Sequence, residues 1–208
     1  SDVLIKSRLE GMGYVVTVRD DSASTASDAT GKDIVLISES VSDTNVNYKF
    51  RNVTVPVITW ENGIYDDMLM VLSTYQGDAS GQSQTNVVSS SHPMAAGLSG
   101  TQTVYNSSFY LAWGIPSASA VKVATLTSNA NNATIFGYEK DASMAGLIAP
   151  ARRAGFFFGV PGLGDLQQGP AAGALTDRVV AYDADWSTAL HAPYLDFVGS
   201  RSKDLFLR

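Results

Sequence analysis

The chain has 208 residues, 45% hydrophobic and 16% charged, with a mean hydropathy of +0.02, which supplies enough apolar material for a core and is not the composition of a disordered tail. It carries 20 acidic residues against 14 basic ones, with no Lys or Arg between Arg51 and Lys122, and this balance argues against a nucleic-acid partner. The absence of Cys excludes disulfides, thiolate metal sites and a cysteine nucleophile, and no apolar run is long enough to span a membrane or to read as a secretory leader.

In chain order, Asp2 to Met12 places Val3, Leu4, Ile5, Leu9 and Met12 at helical spacing, with Gly11 and Gly13 as a stop. Tyr14 to Val18 is β-branched and reads as a strand. Asp33 to Ser38 is a continuous apolar run, the kind covered on both faces of a parallel sheet, and Val55 to Trp60 is a third strand. Between these last two, Val41 to Phe50 has the spacing of a crossover helix, and after the third strand Ile64 to Leu72 has that of a further amphipathic helix. This alternation predicts an α/β fold, a three-layer sandwich with a mostly parallel central sheet. Gly77 to Gln84 reads as a connector. Beyond Thr85 come short β-like runs (86–89, 101–105, 110–113, 121–125, 133–138, 144–148, 155–158), a β-rich extension over about residues 85–158. The expected organisation is an α/β domain over 1–160 and an irregular segment over 161–208 that contains a possible helix.

One gap stands out. A doubly wound sheet starts on a strand, whereas this chain starts on a helix, so the first strand is missing or supplied from elsewhere. A segment outside the N-terminal pattern, or another chain, is expected beside Asp33–Ser38.

Ligands of open α/β sheets bind at the carboxyl ends of the strands, which points to Glu39 after one strand and to Trp60-Glu61-Asn62-Gly63 after the next. Glu61, Glu39 and His92 are the candidate catalytic residues, the carboxylates as general bases and His92 as the titratable partner. Each has a structural alternative. Glu61, with Asn62, can cap the following helix, and a His before Pro93 can serve a turn of its own. Trp60, Asp66 and Arg152 are the candidate ligand-binding residues: an aromatic platform for a sugar, an acid at a turn, and half of the basic doublet Arg152-Arg153. Asp20, Asp21, Asp28 and Asp33 lack calcium-loop spacing, Gly159 to Gly164 lacks the Lys-Ser/Thr of a phosphate loop, and no metal site or cofactor is expected.

Several motifs carry a resemblance. Leu9-Glu10-x-Met12-Gly13-Tyr14-Val15-Val16-Thr17-Val18, Gly31-Lys32-Asp33-Ile34-Val35-Leu36-Ile37-Ser38, and Val55-Pro56-Val57-Ile58-Thr59-Trp60-Glu61 with Tyr65-Asp66-Asp67-Met68 resemble a class I glutamine-amidotransferase-like domain. His92-Pro93-x-Ala95-x-Gly97-Leu98 and Ala149-Pro150-Ala151-Arg152-Arg153-x-Gly155 resemble modules of large secreted bacterial proteins, distantly similar to the trehalose-utilisation (ThuA-like) group. The resemblance covers about residues 2–160 and implies a flavodoxin-like fold. It does not carry over amidotransferase chemistry, because Trp60-Glu61 stands where the elbow Cys of that family would be. The functional expectation is a non-catalytic structural or interaction module of an extracellular, cell-envelope or particle-associated protein. Other protein domains or chains are its expected partners, with carbohydrate as a further candidate. The alternative is a hydrolase or carbohydrate-modifying enzyme that uses carboxylates at the sheet edge.

Overall fold

A computed structural model of the chain describes residues 2–157, 171–176, 178 and 203–207. Its elements are α1 (Asp2–Gly11), β1 (Tyr14–Val18), β2 (Ile34–Ile37), α2 (Asp43–Val46), β3 (Val57–Thr59), β4 (Val71–Gln82), β5 (Gln84–Val87), β6 (Gly100–Thr103), β7 (Phe109–Pro116), β8 (Val121–Leu126), β9 (Ala133–Tyr138), β10 (Arg153–Gly155), α3 (171–176) and β11 (Lys203–Leu207). The strands form one mixed sheet in the order β1-β11-β2-β3-β10-β9-β8-β5-β6. Neighbours from β1 to β10 are parallel, and every pairing beyond β10 is antiparallel. A two-stranded ribbon of β4 and β7 joins β9 through Gly114 and Ala133.

The expected α/β three-layer sandwich, and with it the flavodoxin-like fold that the resemblance implies, is overturned. The sheet is mostly antiparallel, and the helices among the described residues are three and short. The reason lies in the two expected amphipathic helices. Asp-Thr-Asn-Val-Asn is a poor helix former, because side chains that bond their own backbone compete with helical bonding. Accordingly α2 ends after one turn at Asn47, whose φ is +47°. The segment from Ile64 makes one short turn over Asn62–Ile64, reverses at Leu69 (φ +55°) and enters β4. The apolar residues of both segments still reach the sheet, but from turns. Gly77 to Gln84, expected as a connector, falls mostly in β4, where Gly77 lets the Trp113 ring approach: a Cβ at position 77 would sit 2.9 Å from Trp113 Cζ2.

The sheet is nonetheless covered on both faces. Ile34 and Leu36 of β2 join Leu9 of α1, Ile58, Trp60, Ala154, Phe156 and α3 on one side. Val35 and Ile37 face the other way and join Val41, Val46, Phe50, Ile64, Tyr65, Met68 and Met144, drawn from turns, loops and the single turn of α2. The first face is helical because α1 has room to lie along it. Gly173 admits the guanidinium of Arg8, with Nη2 2.9 Å from where a Cβ would stand.

β10 holds the two halves together. Arg153 is fully buried there, and its guanidinium donates to the carbonyls of Val55 (3.1 Å) and Arg152 (2.8 Å) through Nη1 and to those of Arg51 (3.2 Å) and Val53 (2.6 Å) through Nη2. The planar fork thus satisfies the irregular backbone that leads into β3. Two residues along, Gly155 lies under the rings of Phe136 and Tyr65, which meet edge to face at 5.3 Å between centroids. A Cβ at position 155 would lie 2.4 Å from Phe136 Cε1, so the strand needs glycine there.

Two outcomes follow from this junction. Arg153→Met removes the donors to four part-buried carbonyls and is expected to cost about 1–3 kcal/mol in urea unfolding, with Arg153→Lys recovering only part of the loss. Gly155→Ala overpacks Phe136 and is expected to cost about 1–3 kcal/mol; a neutral result would show that the ring can move aside.

Candidate functional site at the carboxyl ends of β2 and β3

β2 and β3 run side by side with Ile37 opposite Thr59, so the residues that follow them emerge together. The Trp60 backbone N–H donates to Ile37 carbonyl oxygen at 3.1 Å, which keeps the pair in register for one more residue. Trp60 is 2% exposed, and its indole Nε1–H donates to Glu39 Oε2 at 2.8 Å. Glu39 is itself buried, and the Ser38 hydroxyl lies 2.9 Å from the same oxygen and 2.8 Å from Asp2 Oδ1. Buried carboxylates need such donors, and this one is built into a network that ties the start of α1 to the ends of β2 and β3.

Glu61 turns back on its own chain. Its Oε1 accepts from the Gly63 backbone N–H at 2.7 Å, the N-cap of the short turn Asn62–Ile64, while its backbone N–H donates to Thr59 Oγ1 at 3.1 Å. A Cβ on Gly63 would lie 2.8 Å from that oxygen and 3.3 Å from Asp43 Oδ2, so two carboxylates converge on a position that only glycine leaves open. Burial, chiefly, raises the Glu61 carboxyl to about 7; the Gly63 N–H opposes the rise, and the nearby Asp78, Asp43 and Glu39 carboxylates add to it. Tyr65 lies against the same group, fully buried, with its hydroxyl donating to the Phe156 carbonyl at 3.0 Å. Burial, and then the Glu61 charge, hold that phenol protonated far above its ordinary range.

The other candidates lie elsewhere or are otherwise engaged. Asp66 Oδ1 accepts from Gln76 Nε2 at 2.8 Å and fastens the turn to β4. Asp67 titrates above the usual carboxylate range because of burial, with Asp66 and Asp43 adding to the rise and Arg51 opposing it. His92 caps the turn Pro93–Ala95, its Nδ1 accepting from the Met94 N–H at 3.3 Å, and burial lowers its affinity for a proton. Its charged neighbours are Glu139 and Arg152, which pair with each other at 2.8 Å. Arg152 precedes Arg153, which is paired with Val57 at the start of β3, whereas Glu61 follows the end of that strand. His92 and Arg152 therefore sit at the opposite end of the parallel strands from Glu39 and Glu61. Among the described residues, no group of three or more His, Asp or Glu is arranged to hold a metal ion.

Sequence reasoning brought Glu39, Glu61 and Trp60 together correctly as neighbours at one sheet end. It passed over Asp43 and Asp78, and took Arg153 only as half of a basic doublet. Asp78 sits in what reads as a connector, but Arg153 had a signal, a charge placed between Ala151 and the apolar run that ends β10.

What this arrangement does chemically is hold one proton near neutrality on a capping carboxyl. Because the folded-state value lies above the ordinary 4.5, Glu61 favours the folded chain fully below about pH 4.5, and that contribution is lost as pH rises through about 7. Glu61→Gln keeps an acceptor for Gly63 but cannot ionise. The variant is expected to gain stability relative to the unmodified chain between pH 5 and pH 8 in urea titrations; a pH-independent difference would show that Glu61 is solvated. Compared with known protein families, with curated proteins and with solved structures, the chain has no match.

Proposed function

We propose that the chain is a non-catalytic structural or interaction module of an extracellular or particle-associated protein, with other protein domains or chains as its partners. The observation that carries this reading is the engagement of the sheet's carboxyl end in its own architecture. Trp60, just past the end of β3, is buried against Glu39, and Glu61 caps Gly63. Nucleophilic catalysis requires an activated hydroxyl, thiol or carboxylate with a base in reach and an opening to substrate. Here the nearest hydroxyl on the strand, Thr59 Oγ1, is fully buried and bonded to the Glu61 backbone. His92, the other candidate base, caps a turn at the far end of the strands.

One observation favours a second reading, a hydrolase or carbohydrate-modifying enzyme. Glu61 holds its proton to about pH 7 beside Tyr65, the range in which a carboxyl works as a general acid. The buried Trp60 removes the aromatic platform that a sugar would need on this side, and Glu61 is already the acceptor of a backbone N–H.

The purified chain is expected to show no turnover of generic ester, amide or glycoside substrates. Turnover that Glu61→Gln abolishes while the melting transition stays cooperative would establish the enzymatic reading instead. A Glu61→Ala variant that loses only about 0.5–2 kcal/mol of stability, as a removed cap does, is the result expected here.

A further inference from the structure

The two strands of the β4–β7 ribbon are unequal. Val71 pairs with Pro116 and Gln76 with Gly114, so Leu72 to Tyr75 on β4 stand opposite Ile115 alone on β7. The surplus residues cannot stay in the ladder and bulge out of it. Thr74, within the bulge, has φ +72°, a left-handed conformation that a β-branched residue seldom adopts. Strain of that kind persists where the surroundings hold it, and it collects at contact sites.

Both feet of the bulge are fixed. On one side Met70 and Val71 are buried, and the Met70 carbonyl accepts from the Tyr138 hydroxyl at 2.6 Å. On the other, Gln76 Nε2 donates to Asp66 Oδ1 at 2.8 Å, and Gly77 lies against the Trp113 ring. Between these anchors Leu72 is 57% exposed and Tyr75 45%, with Ser73 and Thr74 exposed as well. Two large apolar side chains are thus presented to solvent on a backbone that is already ordered, which lowers the entropic cost of burying them against a partner.

The surroundings are acidic. Asp66 is bonded to one foot, Asp67 follows it, and exposed Asp78 lies two residues beyond Gln76, while residues 52–121 contain no Lys or Arg. Arg51 donates to the Asp67 carbonyl at 3.2 Å and offsets part of that charge. A projection that is apolar at its tip and acidic at its base has as its complement a concave apolar surface with a basic rim.

We propose that the bulge Leu72–Tyr75 is a docking knob for another protein, entering an apolar pocket rimmed by Lys and Arg. Leu72 and Tyr75 fill the pocket, and Asp67 and Asp78 meet the rim. The assignment rests on the reading of the chain as an interaction module and names the surface that such a module uses.

The test presents the full chain to a display library of small repeat domains randomised over a concave face. The selected domains are expected to carry an excess of Lys and Arg around apolar positions. Their affinity is expected to fall at least about tenfold for the double variant Leu72→Ser/Tyr75→Ser, and severalfold for Asp67→Asn/Asp78→Asn. Val15→Ser and Val88→Ser, at exposed apolar positions on other strands, leave it unchanged. Leu72→Ala and Tyr75→Ala, measured singly, replace the double variant if it loses its cooperative melting transition. Domains that bind the double variant equally well overturn the proposal and leave the module reading standing, so the two fail separately. Domains that bind the bulge with an uncharged or acidic rim overturn it, as does a selection that yields no binder at up to about 100 µM. Self-association of the chain that Leu72→Ser abolishes gives the bulge to a second copy and overturns it too.

Discussion

A single buried guanidinium joins the two halves of this sheet. Arg153 sits on the strand that is parallel to β3 on one edge and antiparallel to β9 on the other, the place where the sheet changes character. The backbone that enters β3 is irregular over residues 51–55, and the carbonyls of Arg51, Val53 and Val55 lie outside any strand ladder. Three bonds from one fork supply what regular structure does not, and a fourth joins the Val57 N–H on the Arg152 carbonyl. Register between β3 and β10 follows, and with it the stacking of Gly155 against Phe136 and Tyr65. A lysine could bring the charge but not the planar set of donors.

The rest of the architecture is a solution to covering two faces of one sheet with little helix. Strands whose every residue is buried need apolar cover above and below. On one face α1 and α3 provide it. On the other, turns do, anchored by long side chains such as Phe50, Tyr65, Met68 and Met144. Turns leave more backbone groups to satisfy than helices do, and the structure answers with side chains that reach main chain. The Tyr138 hydroxyl donates to the Met70 carbonyl and accepts from the Ser117 N–H, and the Tyr65 hydroxyl donates to the Phe156 carbonyl. Burial drives both phenols upward in pKa, which keeps them protonated as donors.

The acidic groups at the carboxyl ends of β2 and β3 belong to the same logic. Glu39 serves Trp60 and Ser38, Glu61 serves Gly63, and Asp66 serves Gln76. Each carboxylate takes a donor that a strand end or a tight turn leaves over. Burial first, and then the neighbouring Asp78, Asp43 and Glu39 carboxylates, raise the titration of Glu61, which retains a proton and so lessens the repulsion. A perturbed carboxyl is a common mark of catalysis, and structural networks perturb carboxyls by the same physics.

Local structure was legible in the sequence wherever the pattern was strong. α1, β1, β2, β3, β8 and β9 all lie where the apolar spacing and the β-branched runs place them, because periodicity of that kind records which faces are buried. The pairing of Glu39 with Trp60-Glu61 at one sheet end was legible for the same reason, since both follow buried strands. The same spacing misled over Val41–Phe50 and Ile64–Leu72, because apolar residues three and four apart mark burial toward a surface whether a helix or a succession of turns carries them. Positive φ at Asn47 and Leu69 decided for turns, and no local pattern announces it. The strand order, the antiparallel majority and the burial of Arg153 were left to the tertiary structure, as was the choice of β11 for the place beside β2 that the sequence marked only as a gap to be filled. Each depends on which distant segments can satisfy one another's backbone groups, and that is a property of the assembled sheet rather than of any stretch of residues.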